Sequence, residues 1–331
     1  MPDETTEFLD QLGSAAGFER RHETQSDLQP TPPSQIMTIR GGMCQWQVAE
    51  DGKFTPGGPT VSALPSGVYK PEWDGRFDRL VLEQRTLMTD TLITLADGVS
   101  HRVLHSIQHF WMSRERFHHH GQLFKRGILL WGPAGSGKTT TVIFLIQDLI
   151  ARDGIVLLAD NAEITSMALK VLRKIEPQRS FICILEDLDE LIMRSGQATY
   201  LSLLDGENQI DNVVYLATTN YPERLDPRFV NRPSRFDEVI KIGMPSAAAR
   251  QCYLRARLSL DEMSDAVLAA TVHDTEGFSI AHLRELIVAV FCLQRGYQET
   301  LVRLRSMQRL PSTEDLRQRI GIGTNHQVAV D

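Results

Sequence analysis

One run of eight residues constrains the fold of this 331-residue chain more than any other feature. Residues 132–139 read GPAGSGKT, which fits the phosphate-binding pattern G-x-x-x-x-G-K-[ST]. The apolar residues 127–131 before the run predict a buried strand, and apolar residues at helical spacing from Val142 to Ile150 predict a helix after it. A glycine loop between a strand and a helix offers backbone N–H groups and the positive end of a helix dipole to phosphate oxygens. The sequence therefore predicts a nucleoside triphosphate site.

The side chains of this loop have distinct expected roles. Lys138 carries the positive charge that we expect to face the β- and γ-phosphates, and the Thr139 hydroxyl is an expected ligand of Mg²⁺. The predicted nucleotide-binding residues are Gly132, Pro133, Ala134, Gly135, Ser136, Gly137, Lys138, Thr139 and Thr140.

Two acidic residues follow a later apolar run. Glu186 and Asp187 come directly after residues 181–185, which are apolar enough to form a buried strand. The carboxyl ends of strands in doubly wound sheets open onto the ligand crevice, so these carboxylates are expected to face the phosphates. One of the pair is expected to hold Mg²⁺, and the other to orient or deprotonate the attacking water.

Three further candidates follow in the chain. Asn220 ends the next predicted strand and can donate a hydrogen bond to the γ-phosphate while accepting one from the attacking water, although such an Asn can also be a turn residue. Arg232 and Arg235 lie on a short predicted turn, spaced to reach one phosphate together. Since neither has a triphosphate site close by in sequence, we expect them to reach the nucleotide of a neighbouring subunit; the alternative is a pair of surface arginines.

Composition and charge narrow the classes of function. The net charge of −7 and the pI of about 5.8 give no overall basic field for nucleic acid. The four cysteines lie far apart with no metal-ligand spacing, which is typical of a reducing compartment. No uninterrupted apolar run approaches the ~18–20 residues that a membrane span needs. We therefore expect a soluble cytoplasmic protein with no membrane span, for which a nucleic-acid partner is disfavoured.

Alternating short apolar runs and helical patterns predict an α/β fold in which helices cover both faces of a five-stranded parallel sheet. After residue 245 the pattern is helical only, which predicts a small helical subdomain, and residues 36–79 are rich in Gly, Pro and β-formers. The predicted strands of the sheet are 128–131, 155–159, 181–185, 213–218 and 239–242, and a helical pattern is predicted from residue 80 to about 117.

These motifs together resemble the AAA ATPases. The strongest likeness is in residues 225–237, LDPRFVNRPSRFD, which are similar to the second region of homology of that family. The resemblance covers roughly residues 95–295. It implies an ATP hydrolase that needs Mg²⁺ and forms a homo-oligomeric ring, usually a hexamer, with ATP between subunits. It further implies that Arg232 and Arg235 act in trans and that Asn220 is the first sensor.

Within that family the chain resembles the mitochondrial Rieske-protein translocase subgroup. The acid order Glu-Asp and the run TNYPERLD at 219–226 carry this likeness. By position, Glu186 takes the Mg²⁺ role and Asp187 the water-activating role, with a side chain one methylene shorter than the usual Glu. Residues 189–190 restore the usual Asp-Glu order but lie beyond the strand end, so we assign them no role.

Three departures from the family pattern limit what the likeness implies. That translocase has an N-terminal membrane span, which we do not expect here because no apolar run is long enough, and residues 159–180 lack the aromatic-x-Gly loop of rings that thread proteins. Residues 280–281 read Ile-Ala where Gly-Ala is common, so no nucleotide contact is expected there.

The sequence divides the chain into five predicted regions and leaves three functions to weigh. The leading hypothesis is a ring ATPase that remodels or translocates a protein client chosen by the N-terminal module; the alternatives are a slow-turnover ATP-dependent switch or scaffold and, less favoured, a nucleic-acid motor or loader. The regions are a disordered acidic tail and linker at 1–35, a β-rich module at 36–79, a large α/β ATPase subdomain with preceding helices at 80–243, a small helical lid at 244–298, and a C-terminal helix with a frayed tail at 299–331.

Overall fold

The fold is known from a computed structural model, which describes residues 45–48, 54–57, 60–76, 78–86, 92–93, 98–205, 210–232 and 234–308. The predicted tail and linker at 1–35 lie outside these ranges, as do residues 309–331 of the predicted C-terminal helix and frayed tail. The strands are β1 Gln45–Val48, β2 Phe54–Gly57, β3 Gly67–Asp74, β4 Arg79–Arg85, β5 Lys125–Trp131, β6 Ile155–Leu158, β7 Phe181–Leu185, β8 Val213–Thr219 and β9 Glu238–Lys241. The α-helices are α1 Val99–Trp111, α2 Arg114–His119, α3 Lys138–Ala151, α4 Ala162–Ile175, α5 Leu188–Ser195, α6 Gln197–Asp205, α7 Pro227–Val230, α8 Ala247–Arg257, α9 Asp265–Asp274, α10 Ile280–Ile287 and α11 Tyr297–Gln308.

Seven strands form the main sheet, in the order β4-β3-β6-β7-β8-β5-β9, and only β4 runs antiparallel to its neighbour. The α/β class with a parallel sheet is confirmed, but the predicted count of five strands is wrong. The two extra strands are β3, which lies in the predicted β-rich module, and β4, most of which lies in the segment predicted to be helical. A short turn joins them, and they pair from Val68 with Arg85 to Asp74 with Arg79.

The main sheet therefore extends into the region predicted as a separate N-terminal module. Residues 67–69 of β3 pair in parallel with residues 155–157 of β6, while β1 pairs with β2 and, among the described strands, neither joins the main sheet. Val68 and Tyr69 are buried because they face the two sides of the sheet, as alternate strand residues do.

Two apolar cores cover the two faces of the sheet. Phe181, Cys183 and Leu185 of β7 face a core that includes α4, α5 and α6, while Ile182 and Ile184 face a core built with α1 and α3. A strand covered on both faces reads as one continuous apolar run, which is why β7 was predictable. Full burial of each such side chain contributes about 1.5–3 kcal/mol.

A separate helical unit follows the sheet. Ser246, Ser264 and Ser279 begin α8, α9 and α10, and each hydroxyl accepts a hydrogen bond from a backbone N–H three residues on. These helices share an apolar core, to which α11 adds Leu301 and Leu304, so the predicted C-terminal helix packs onto the predicted lid. Across the ranges that the structure describes, none of the helices has the length and apolar character needed to cross a bilayer.

Candidate active site

A cavity of about 910 Å³ lies between the carboxyl edge of the sheet and the helical unit. The sheet side contributes residues of the glycine loop and the ends of β7 and β8, and the helical side contributes residues of α8 and α10. The predicted site residues that line it are Ala134, Gly135, Gly137, Lys138, Thr139, Thr140, Glu186, Asp187 and Asn220. The structure thus brings together most of the predicted phosphate-loop, acid and sensor residues.

The backbone of the loop requires glycine at two positions. Gly135 has a φ of 74°, and a Cβ there would lie 2.7 Å from the Ser279 hydroxyl. A Cβ at Gly132 would lie 2.0 Å from the carbonyl oxygen of Ile242, which directly follows β9. The glycines therefore allow the loop to approach the neighbouring chain segments as well as a phosphate.

Lys138 is buried beneath the loop and has three acceptors. Its Nζ donates to the carbonyl oxygens of Gly132 at 2.8 Å and Pro133 at 2.9 Å, and to Oδ1 of Asn220 at 2.6 Å. Burial lowers the pKa of this amine, an effect that the nearby carboxylate of Asp187 opposes. The hydrogen bonds hold the ammonium group at the cavity wall, at the C-terminal end of β8.

The acid pair stands at the C-terminal end of β7. Burial raises the pKa of Glu186 above its usual range, and the neighbouring charge of Asp187 adds to the rise. The pKa of Asp187 is raised by burial first and by Glu190 second. Asp187 has a φ of 47°, in the left-handed region that costs a non-glycine residue about 1 kcal/mol, and it comes directly before α5.

Asn220 connects the lysine to the acid pair. Its Nδ2 donates to Oδ1 of Asp187 at 3.2 Å, while its own Oδ1 accepts from Lys138. The side chain is therefore fixed by two charged residues, one on each side of the cavity floor.

The donors on the cavity wall fit Mg²⁺. Thr139, Glu186 and Asp187 all line it and supply hydroxyl and carboxylate oxygens, the ligands that Mg²⁺ prefers. No group of three or more His, Cys, Asp or Glu side chains suited to a metal occurs in the described part of the chain. Mg²⁺ is usually held by one or two carboxylates together with phosphates and waters, so the small set of protein donors suits it.

The helical unit contacts the glycine loop directly. The backbone N–H of Ile280 donates to the carbonyl oxygen of Gly135 at 3.1 Å, and both Ile280 and Ala281 line the cavity. Sequence reasoning assigned no nucleotide contact to this pair and did not select Arg257 or Arg284, which line the same wall. Helical spacing would have added Arg284 only if Ile280 had first been placed at the cavity, because Arg284 lies four residues after Ile280 on α10.

The two predicted trans arginines differ in exposure. The side chain of Arg232 is 61% exposed, with its guanidinium 3.4 Å from Oδ2 of Asp205. Arg235 is buried, with Nε 3.7 Å from the same carboxylate and Nη1 donating to the carbonyl oxygen of Arg228. Neither arginine is among the described residues that line the cavity. Arg232 is thus on the surface, and Arg235 is held inside its own chain.

Residues 128–244 match the family model for the ATPase family associated with various cellular activities (AAA). The chain carries an AAA ATPase domain. The match runs from the middle of β5 to just beyond β9 and so contains the glycine loop, the acid pair, Asn220 and both arginines. The family predicted from the motifs is confirmed.

Three relatives of this AAA domain differ in the function that their names describe. The chain is 30% identical over 215 residues to the ATP-dependent zinc metalloprotease FtsH of Acidothermus cellulolyticus, covering 58% of this chain and 31% of that protein. It is 28% identical to the probable mitochondrial chaperone bcs1 of Schizosaccharomyces pombe, covering 52% and 41%, in agreement with the predicted subgroup likeness. It is 30% identical to the proteasome-activating nucleotidase of Methanocella arvoryzae, covering 49% and 47%. The matches thus span less than half the length of these relatives.

A smaller cavity of about 230 Å³ adjoins the glycine loop of the AAA domain. It is lined by the start of α1 on one side and by the segment from Ile242 to Ser246 on the other. Ser136 also lines it and is buried, and its hydroxyl has no hydrogen-bond partner among the residues that the structure describes.

Proposed function

We propose that this protein hydrolyses ATP in the cavity between the sheet and the helical lid and uses the cycle to remodel or translocate a protein client. The observation that carries the proposal is the chain of contacts from Lys138 through Asn220 to Asp187 on the cavity wall. It brings a cation for the phosphates, a polar sensor and a carboxylate base within hydrogen-bonding distance of one another.

Each group has a separate task in hydrolysis. The glycine loop and Lys138 bind the β- and γ-phosphates, and Asp187 orients a water molecule in line with the γ-phosphate and accepts its proton. Asn220 contacts the same water and the γ-phosphate. Mg²⁺, held by Thr139 and Glu186, would neutralise charge on the phosphates. The raised pKa of Asp187 favours proton acceptance, since a stronger base takes a proton more readily.

We assign the nucleobase to the smaller cavity beside the loop. This cavity adjoins the phosphate site and shares Gly137 and Thr140 with it, so a nucleotide can occupy both. The apolar residues Ile93, Val99 and Ile242 on its wall suit a flat heterocycle, and the buried Ser136 hydroxyl is the partner that we propose for the base or sugar.

The exposed Arg232 supports a ring, which we propose is a hexamer. An arginine that is exposed and outside its own cavity can complete the site of a neighbouring copy and stabilise the charge of the transition state. We propose that Arg235 contributes to the same trans contact by holding the turn that carries Arg232. The wide spacing of the four cysteines along the sequence supports a reducing compartment, and we propose the cytoplasm.

A protein client is supported by the relatives. Their names describe a chaperone, a metalloprotease and a proteasome-activating nucleotidase, all of which point to work on proteins. We propose that the N-terminal region, which includes β1 and β2, selects the client. The acidic net charge favours this class of partner over nucleic acid.

A slow ATP-dependent switch is the second candidate. The shorter side chain of Asp187 at the water-activating position favours it, because a carboxylate that reaches less far positions the water less well.

The decisive experiment is Mg-ATP turnover per subunit as the protein concentration rises. Specific activity that increases with concentration, together with a matching increase in mass by light scattering, supports sites shared between subunits. Tight ATP binding with negligible turnover at every concentration would favour the switch. Absence of ATP binding would refute both.

A further inference from the structure

Hydrogen bonds join the residues at the start of α5 to the last residues of β8. The backbone N–H of Asp187 donates to Oγ1 of Thr218 at 3.0 Å, and Oγ1 of Thr219 donates to Oδ1 of Asp189 at 2.6 Å. The Asn220 amide then donates back to Asp187. Three hydrogen bonds therefore join residues 187–189, which include the proposed base, to residues 218–220, which include the proposed sensor.

The contact between Asp189 and Thr219 is the buried part of this arrangement. Thr219 is fully buried, and Asp189 is 4% exposed. Oδ2 of Asp189 lies 4.0 Å from the guanidinium of Arg224, so the carboxylate has a hydroxyl on one oxygen and a cation near the other. A carboxylate is stable at such a depth only with partners of this kind, and its position is correspondingly well determined.

Thr219 also fixes the residue that follows Asn220. Its Oγ1 donates to Asp189 and accepts from the backbone N–H of Tyr221 at 3.0 Å. Asn220 therefore stands between two residues that one hydroxyl holds in place. Neither Thr219 nor Asp189 is among the described residues that line the cavity, so their influence on a bound nucleotide is indirect.

We propose that Asp189 and Thr219 are positioning residues for ATP hydrolysis, which hold Asn220 at the distance from Asp187 needed for both to contact one water molecule. The inference rests on the proposed function and assigns a role to Asp189, to which the sequence pattern alone assigned none. Because the pair holds the groups that contact the water rather than those that bind the phosphates, its loss should reduce kcat and leave ATP affinity intact.

The test compares two substitutions at the threonine. Thr219→Val keeps the shape and removes the hydroxyl, whereas Thr219→Ser keeps the hydroxyl. Thr165→Val is the matched control, since Thr165 is equally buried on α4 and its hydroxyl has no partner within the described ranges. Each variant is measured for kcat, for the Kd of a fluorescent ATP analogue and for Tm.

We expect Thr219→Val to lower kcat by about tenfold to hundredfold, the scale on which small misplacements of reacting groups act. Its Kd for the ATP analogue should stay near the wild-type value, Thr219→Ser should recover most of the turnover, and Thr165→Val should match wild type. Asp189→Asn, which also retains the side-chain volume, should lower kcat with the same unchanged Kd; it provides the test if Thr219→Val does not fold.

Wild-type turnover in Thr219→Val would overturn the inference. So would parallel losses of kcat, ATP affinity and Tm without recovery in Thr219→Ser, because they would indicate a purely structural role. A wild-type protein that binds Mg-ATP and releases no phosphate would overturn the proposed function, and this inference with it.

Discussion

Lys138 and Asn220 are joined by a hydrogen bond of 2.6 Å, from the ammonium group at the start of α3 to the amide oxygen at the end of β8. The same amide donates to Asp187, so the phosphate loop, the sensor position and the acid pair form one connected unit. A change at any of the three positions therefore alters the surroundings of the other two.

Removing the loop cation should abolish nucleotide binding. In Lys138→Ala the β- and γ-phosphates lose the only charge that the loop itself supplies, and we expect the Kd of a fluorescent ATP analogue to rise by about a hundredfold or more, given the strength of charge-assisted hydrogen bonds to phosphate. Lys170→Ala, on the exposed surface of α4, is the control. Titration of Lys138→Ala with wild-type affinity would refute the assignment of the phosphate site.

Neutralising the proposed base should separate binding from turnover. Asp187→Asn keeps the shape of the side chain and should retain ATP while lowering kcat by about a hundredfold or more, the usual contribution of a general base. Glu115→Gln, which removes an exposed carboxylate on α2 away from the cavity, is the control and should keep wild-type activity. Unchanged phosphate release from Asp187→Asn would move the role of base to another residue.

The two arginines should respond differently to truncation. Arg232→Ala should lower turnover by about 10³-fold or more with little change in Tm, because an exposed arginine finger acts on the transition state. Arg235→Ala leaves the buried Asp205 carboxylate with fewer partners, although Arg232 and Ser234 remain, and chemical denaturation should show a loss of stability of about 1–3 kcal/mol.

Mixing two inactive variants tests whether Arg232 acts in trans. Arg232→Ala subunits retain Lys138, and Lys138→Ala subunits retain Arg232, so adjacent copies can together form a complete site. We expect phosphate release to reappear in the mixture. Failure to recover any activity, with mixed oligomers demonstrated by mass, would place the arginine in its own site.

Glu186 should lower the stability of the nucleotide-free protein at neutral pH. Its pKa is raised in the folded state, so the folded protein binds the proton more tightly than the unfolded chain does, and stability falls as pH rises through the interval between the two pKa values. Glu186→Gln should therefore have a higher Tm than wild type at pH 7. The difference should vanish below about pH 4, where a free glutamate is itself protonated. A Tm for Glu186→Gln below that of wild type at pH 7 would contradict the inference that the buried Glu186 carboxylate destabilises the fold.

Local patterns made much of the site predictable. The glycine loop, the acid pair and Asn220 each stand at the end of an apolar run, so strand ends could be placed from the sequence and their convergence inferred from parallel topology. The main-sheet role of β3 could not be inferred in this way, because its partner β6 lies far along the chain and no local signal links Gly67 to Ile155. The burial of single side chains could not be predicted either, because the sequence does not distinguish the exposed Arg232 from the buried Arg235.

The place of β3 in the sheet has a mechanical consequence. Its residues 67–69 pair with β6, and its residues 68–74 pair with β4 on the other side, so this strand joins two neighbours at once. A pull on the chain ahead of Gly67 would load both rows of hydrogen bonds along the strand direction, and many bonds would share the force. Tension on the segment before Gly67 would thus reach, through hydrogen-bonded strands, the same sheet whose strand ends carry the acid pair and Asn220.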